Sequence, residues 1–311
     1  MSLGIVMIGL NVAANLRRLT EHWRGFPCDG IVYVDSGSRD ESVAIARAAG
    51  WRVVSLSSEG VISAAAGRYA GTLVCETDWI FYLDGDMVPD LCSVAWQSAY
   101  LRSRSDVNVV GTTGDIVDIY APGDQRVRRQ KSREGARAIW FGGAVILKRQ
   151  AVLDAGNWNP NVHAEEEWDL DARLRQRGGR VLYFQGALAQ HQTTRVPVGQ
   201  VVARLVGLSD FRNPRNGGAG HVIRSALQAG SLWQVISVKP EVFALPLGTL
   251  IAIVLLWFAQ WLAAASLYAL LFVWVSARRG SQFLAVCYLT VPQMIIGCCR
   301  YRQRPVKYQV G

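Results

Sequence analysis

Short apolar runs alternate with longer amphipathic stretches over the first 195 residues, a pattern of strands alternating with helices. Leu3-Gly4-Ile5-Val6-Met7-Ile8 reads as a buried strand, followed by a helical segment from Asn11 through Trp23. Ile31-Val32-Tyr33-Val34 is a second strand that ends at Asp35. Ser36-Gly37-Ser38-Arg39-Asp40 is a turn, with Asp40 placed to cap a helix running to Ala49. Trp51 to Leu56 is a third strand, Ile62 to Ala70 a short helix, and Thr77 to Leu83 a fourth strand. The order predicts an α/β fold, a mostly parallel sheet with helices on both faces. Such sheets bind ligands outside the carboxyl ends of their strands, and Asn11, Asp35 and Asp84 all fall there.

Beyond that point, residues 107–120 read as strand and 121–137 as a charged loop. Phe141 to Lys148 is a strand or a strand-helix corner, and Ala151 to Ala155 a short helix. Glu165 to Arg177 forms a helix closed by Gly178-Gly179, and Val181 to Phe184 a last strand leading to His191. Residues 198–244 are mildly amphipathic and read as a connector lying near a membrane surface.

The hydrophobic pattern changes character after that. Residues 245–275 and 283–299 carry no charge. As one helix the first run would be roughly 46 Å long, against a hydrocarbon core of ~30 Å. It is either one long tilted helix or a hairpin of two short ones, with 283–299 lying in the interface in the second case. The expected division is a catalytic domain at 1–197, the connector at 198–244 and a membrane-associated region at 245–311.

Charge and cysteine usage refine the setting. The formal net charge is +9, yet the arginines carry no helix-turn-helix, zinc-finger or RNA-binding signature, so no nucleic-acid partner is expected. Arg278, Arg279, Arg300, Arg302, Arg304 and Lys307 flank the apolar runs, as anionic cytoplasmic lipid would favour. Arg126, Arg128, Arg129, Lys131 and Arg133 cluster in the charged loop, either to meet phosphate-bearing lipid or substrate or as a solvated charge run. Met1 to Leu10 lacks the basic flank and cleavage site of a signal peptide. The expected location is therefore the cytoplasmic face of a membrane, a bacterial inner membrane, with the six cysteines as reduced thiols.

The chemistry concentrates at Asp84-Gly85-Asp86, which ends the run Trp79-Ile80-Phe81-Tyr82-Leu83. Two residues apart on an extended backbone, the carboxylates point the same way, about 7 Å apart at Cα. They can share a hard cation, Mg²⁺ or Mn²⁺, which also holds substrate phosphates. A polar strand end running into a turn is the alternative.

Three consecutive segments resemble the signatures of family 2 glycosyltransferases: Val34-Asp35-Ser36-Gly37-Ser38-Arg39-Asp40-Glu41-Ser42, Ala66-Gly67-Arg68-Tyr69-Ala70-Gly71 and Tyr82-Leu83-Asp84-Gly85-Asp86. Phe141-Gly142-Gly143-Ala144 is similar to that family's acceptor loop, and Glu166 through Leu174 to its acidic helix. His191 stands where the family has a late histidine. The resemblance spans roughly residues 3–195. It implies the GT-A (Rossmann-like) fold, a nucleotide-sugar donor (UDP-, GDP- or dTDP-linked), a divalent cation and inversion at the anomeric carbon.

Residue by residue, the resemblance implies metal ligation by Asp84 and Asp86, completed by His191, for which a structural hydrogen bond at a strand end is the alternative. Asn11, Asp35, Arg68, Asp84 and Gly85 line the donor site, although Asn11 equally suits a helix cap. Register against Asp169-Leu170 makes Glu167 the base that deprotonates the acceptor, with Glu166 in reserve. The family's usual base is the shorter aspartate, and many relatives carry a second aspartate where this chain has Ser36. Gly142, Gly143, Trp168 and Asp169 are expected on the acceptor side, with Asp169 either supporting that loop or pairing with Arg173.

The function expected is transfer of one sugar to a lipid-linked or membrane-proximal glycan, or to polyprenyl phosphate itself. A catalytically silent nucleotide-binding scaffold is the rival from another class. No Gln-x-x-Arg-Trp motif is present, which argues against a processive synthase.

Overall fold

The computed structural model describes residues 2–130, 132–194, 217–258, 260–279 and 283–311, without the side chains of 278–279, 283–290 and Gln293. Residues 195–216, which include the first part of the expected connector, and Lys131 lie outside this description. The chain divides into two compact units, Met1–Arg195 with Arg302–Gly311, and Val196–Tyr301.

The first unit is built on one sheet. Its strands are β1 (Leu3–Gly9), β2 (Ile31–Asp35), β3 (Arg52–Leu56), β4 (Trp79–Asp84), β5 (Met87–Pro89), β6 (Val109–Ala121), β7 (Asp124–Arg128), β8 (Ala144–Lys148), β9 (Arg180–Gln192) and β10 (Tyr308–Val310). They run in the order β10-β3-β2-β1-β4-β8-β6-β9-β5, with β7 paired to β6. β1 to β4 are parallel, a pairing that requires crossovers such as the helices that join them. β8 then runs antiparallel to β4 and β6, and β10 antiparallel to β3, so the complete sheet is mixed.

Alternation along the strands feeds two cores. Ile5 and Met7 of β1 face Leu16 and Leu19 of α1 (Ala13–His22) and Ala46 of α2 (Ser42–Ala48). Val6 and Ile8 face α3 (Ala64–Val74) and join Leu170 and Leu174 of α6 (Glu166–Gln176) in the other core. α4 (Leu91–Ser103) and α5 (Arg149–Asp154) complete the layers. Gly67 and Gly71, one turn apart on α3, meet the sheet. A Cβ at Gly71 would collide with Val6 and one at Gly67 would press on Ile8 at 3.0 Å, so these glycines set how closely α3 lies on β1.

Strand register aligns the site. Gly9 lies opposite Asp35 and Ile8 opposite Asp84, so the carboxyl ends of β1, β2 and β4 coincide. Leu83 pairs with Ala144, Met87 with His191, and Asp118 with His191.

The structure departs from the sequence reading in several elements. The charged loop 121–137 contains β7, folded back on β6 as a hairpin. Its arginines alternate with Gln125 and Val127, a period-2 pattern masked by their charge. His191 lies within β9, not beyond it. The helix after the first turn starts at Ser42 with Glu41 at its N-cap, and Asp40 instead accepts from the amides of Ala13 (3.0 Å) and Ser42 (3.0 Å).

The tail 302–311, grouped with the membrane-associated region from its sequence, pairs with β3 in the first unit. Asn161 holds it with a backbone-like pair, accepting from Arg304 N (2.8 Å) and donating to Arg304 O (3.3 Å). Ser57 N donates to Lys307 O at 2.8 Å. The tail covers an otherwise open sheet edge.

In the second unit the helices are α7 (Gly218–Ala229), α8 (Leu232–Val238), α9 (Pro240–Trp257), α10 (Trp261–Arg279) and α11 (Phe283–Arg300). The uncharged run 245–275 is therefore shared between two helices, one ending at Trp257 and the next starting at Trp261. They pack through Gly248 against Leu271 and Thr249 Oγ1 against Tyr268 OH at 3.2 Å. Among the described residues α9 alone has the length and composition to cross a membrane. Leu247, Leu250, Ile253, Val254 and Trp257 of α9, and Leu262, Leu270 and Val273 of α10, are exposed. Cys28, Cys75, Cys92, Cys298 and Cys299 are free thiols.

Asn161→Ala removes both bonds to the tail and leaves the Arg304 amide unpaired. At about 1 kcal/mol net for each hydrogen bond, thermal unfolding of the purified chain is expected to shift down by roughly 2–6 °C. An unchanged transition would show that the tail adds nothing to the stability of the sheet.

Candidate active site

The loops after β1 and β2 are zipped together by polar side chains. Asn11 has φ of 55°, a left-handed conformation that asparagine tolerates. Its Oδ1 accepts from Arg39 N (2.8 Å), and its amide donates to Ser38 Oγ (2.8 Å). Asn11 thus ties two loops together and does not cap α1, whose N-cap is Val12. Asp35 is buried, and its carboxylate accepts from the amides of Gly37 (3.0 Å) and Ser38 (3.1 Å). Both expected donor residues therefore shape the loop at the edge of the sheet, and any donor contact they make uses what these bonds leave free.

Arg68 stands at the centre. It is 4% exposed, reaching from α3 to Asp84 Oδ1 (Nη2, 2.6 Å) and to Glu166 Oε1 (Nη1, 2.6 Å). Trp158 lies under it, with the guanidinium carbon 5.0 Å from the ring centroid, and packs edge-on against Tyr82 and Phe141. Burial works against the Arg68 charge, but Asp84 and Glu166 more than offset it, so the group stays cationic. Burial pushes the Asp84 carboxyl up, against the pull of Arg68. Arg68 was expected to touch the donor; enclosed as it is, it positions Asp84 and the start of α6. Trp158 was missed, because nothing in its local sequence distinguishes it from an ordinary core residue.

A second cluster surrounds His191. Its Nε2 lies 3.5 Å from Asp86 Oδ2, and its Nδ1 lies 2.9 Å from Asp118 Oδ1. Arg128 Nε pairs with Asp118 Oδ2 at 2.9 Å. The Asp86 contact raises the His191 ring above its ordinary value, against partial burial. Burial pushes the Asp86 carboxyl up, yet His191 holds it below the usual carboxylate range. Asp118 and Asp115 were not singled out from sequence. Two acids inside the mostly buried run of β6 were the available signal, since buried carboxylates need partners. Asp115 has Tyr183 OH (2.5 Å) and Arg129 Nε (3.2 Å). Two of the clustered arginines, Arg128 and Arg129, thus hold internal acids.

The donor set at Asp86 and His191, a carboxylate oxygen and an imidazole nitrogen facing one another, fits Mg²⁺ or Mn²⁺. Among the described residues no three His, Cys, Asp or Glu side chains are gathered into a preformed metal cluster. Asp84, the third expected ligand, has its Oδ1 engaged by Arg68.

On the acceptor side, Gly142 and Gly143 precede β8. Gly143 has φ of 89°; a Cβ there would collide with Met87 and lie 3.5 Å from Asp84 Oδ2. Its carbonyl accepts from Asp84 N at 2.9 Å, and Gly85 N donates to Ile8 O at 2.7 Å. A Cβ at Gly142 would lie 3.5 Å from the Glu167 carboxyl carbon. The glycine pair therefore brings Glu167 and Asp84 to the two sides of one turn.

Glu165, with φ of 64°, starts α6, whose first turn carries Glu166, Glu167 and Asp169 at the positive end of the helix dipole. Glu166 is committed to Arg68, which removes it as the reserve base. Trp168 and Asp169 are each 2% exposed. Asp169 pairs with Arg173 (Nε, 3.0 Å), whose Nη1 also donates to Asn157 O (2.7 Å). These two expected acceptor contacts face the core instead, because the buried stripe of α6 runs through them.

Arg68→Met removes the buried cation from two half-buried carboxylates. Removing one partner of a buried ion pair costs about 3–5 kcal/mol, so denaturant unfolding is expected to show a loss of that size. Arg68→Lys, which keeps the charge without the fork, should lose less. Unchanged stability in Arg68→Met would remove the bridge from the account.

The sequence matches the model of glycosyltransferase like family 2 over residues 16–205. Over 201 residues it is 26% identical to the pre-mycofactocin glycosyltransferase of Mycobacterium tuberculosis, covering 58% of this chain and 40% of the relative. The chain thus spans less than half the length of the curated relatives it matches. Among solved structures, TarS of S. aureus superposes with a TM-score of 0.52 at 12% identity, covering 96% of this chain and 54% of that one. Glucosyl-3-phosphoglycerate synthase from Mycobacterium tuberculosis, solved with Mg²⁺ and uridine diphosphate, gives 0.48 at 16% identity, over 73% of this chain and 78% of that one. The fold is GT-A-like, and the chain belongs to glycosyltransferase like family 2.

Proposed function

We propose that this glycosyltransferase is membrane-associated and inverting. It moves one sugar from a UDP-, GDP- or dTDP-linked donor to a lipid-linked or membrane-proximal glycan acceptor. The observation that carries this reading is the division of labour at the start of α6. Glu166 is spent on Arg68, while Glu167 lies beside Gly142. With Asp84 and Glu166 both paired to Arg68, Glu167 is the carboxylate assigned to the attacking hydroxyl, since direct displacement needs one base to take its proton.

In that displacement, Glu167 accepts the acceptor proton as the new glycosidic C–O bond forms and the bond to the donor diphosphate breaks. Attack from the face opposite the leaving group inverts the anomeric carbon. Asp86 and His191 would hold Mg²⁺ or Mn²⁺, which when bound neutralises charge on the departing diphosphate. Arg68 keeps Asp84 in place beside the acceptor turn. The loop that Asp35 and Asn11 shape is the donor side of the pocket.

Support for membrane association comes from the second unit. α9 is roughly 27 Å long, close to the ~30 Å hydrocarbon core. Its outer face and that of α10 are apolar, more than solvent contact alone accounts for. Arg300, Arg302, Arg304 and Lys307 follow the last apolar helix, favouring the cytoplasmic face of a bacterial inner membrane.

Glu167→Gln is expected to lower kcat by about 10²–10⁴-fold with donor KM unchanged, and Asp86→Ala to stop transfer. The anomeric proton of the wild-type product, read by NMR, should show the configuration opposite to that of the donor. Mass spectrometry then separates one sugar on bare polyprenyl phosphate from extension of an existing glycan. Full turnover by Glu167→Gln, or a product with retained configuration, would sink the single-base mechanism.

A further inference from the structure

We propose that Asp118, held by Arg128, is the positioning residue that fixes the ring of His191 so that Nε2 faces Asp86. The inference rests on the reading of Asp86 and His191 as the cation site.

The sheet brings the parts together. β9 runs parallel to β6 with His191 opposite Asp118, and antiparallel to β5 with His191 opposite Met87, next to Asp86. The ring is therefore flanked by a carboxylate at each nitrogen, 2.9 Å away at Nδ1 and 3.5 Å at Nε2. The two carboxylates differ in how they are held. Asp118 is buried on a strand interior and clamped by Arg128, while the Asp86 side chain is 55% exposed. The fixed partner decides the tautomer. An ionised carboxylate only accepts, so Asp118 accepts from Nδ1–H and leaves the Nε2 lone pair for a cation.

Arg128 Nη2 lies 3.3 Å from Nδ1, where donation to a bare nitrogen would put the ring proton on Nε2 and block ligation. Asp118 Oδ1 is nearer to Nδ1, at 2.9 Å, and the charge of Arg128, with Nε 2.9 Å from Oδ2, compensates the buried carboxylate. The arrangement is a carboxylate–histidine pair behind a metal position, the kind of outer contact that orients a ligand. It also explains why an arginine-rich hairpin folds over β6: the hairpin delivers the cation that makes a buried Asp118 tolerable.

The test uses the full chain labelled with ¹⁵N-histidine and free of metal. Long-range ¹H–¹⁵N spectra are recorded at alkaline pH, where the ring is neutral, and His191 is assigned by difference from His191→Gln. The expected result is the Nδ1–H tautomer. In parallel, Mn²⁺ affinity in the presence of UDP is measured by electron paramagnetic resonance of free Mn²⁺.

Asp118→Asn and Asp118→Ala should weaken Mn²⁺ by about 10–100-fold, with metal-free UDP binding unchanged in variants that remain folded. An Nε2–H tautomer in the wild type overturns the inference whatever the variants do. Loss of Mn²⁺ in Asp86→Ala but not in folded Asp118 variants overturns positioning alone. Wild-type Mn²⁺ binding in Asp86→Ala overturns the cation site and this inference with it.

Discussion

The catalytic unit depends on one buried cation. Arg68 extends from α3 and reaches two carboxylates, Asp84 at the end of β4 and Glu166 at the start of α6, with Trp158 beneath it. Three elements distant in sequence meet at its guanidinium, and two of them would carry an uncompensated charge without it. The bridge forms because α3 lies close on β1, and α3 lies close because Gly67 and Gly71 present no side chain to Ile8 and Val6. Backbone spacing, core packing and charge compensation are therefore one constraint, which sets the position of the acidic helix relative to the sheet edge.

In the proposed reading the site has three sides around that bridge. The loops after β1 and β2, held by Asn11, Asp35 and Asp40, would form the donor wall. The β5, β6 and β9 strands bring together Asp86, His191 and Asp118, the proposed cation side. Gly142 and Gly143 place Glu167 and Asp84 around a single turn, the proposed acceptor side. Parallel strands joined by helices bring carboxyl ends to one edge, and the antiparallel β8 returns the acceptor turn to it.

Strand ends were legible in the sequence because apolar runs stop where charges begin, as at Leu83-Asp84 and Val34-Asp35. The carboxylate pair, the glycine turn and the acidic helix were legible for the same reason: their residue types are unusual at those places. Which partner a side chain takes was legible only where it is local, as in the i,i+4 alternative of Asp169 with Arg173. Arg68 looked like a donor ligand because an arginine near a phosphate site invites that reading, while its two carboxylate partners lie 16 and 98 residues away. Trp168 and Asp169 looked available on an acidic helix, yet helical periodicity turns them inward with Arg173. β7 was hidden because its alternation is carried by arginines instead of apolar residues. The return of the tail to β3 left no local trace, since an edge strand of three residues has no periodicity to read.

The central claim is that this sheet edge, with a cation at Asp86 and His191, activates a nucleotide-sugar donor. The most direct measurement is nucleoside diphosphate release by the purified full chain across a panel of nucleotide sugars, with Mn²⁺ and with chelator. The account predicts release from one or a few donors with Mn²⁺ and none with chelator. Equal release in chelator, or no release from any donor with metal and membrane lipid present, would contradict it.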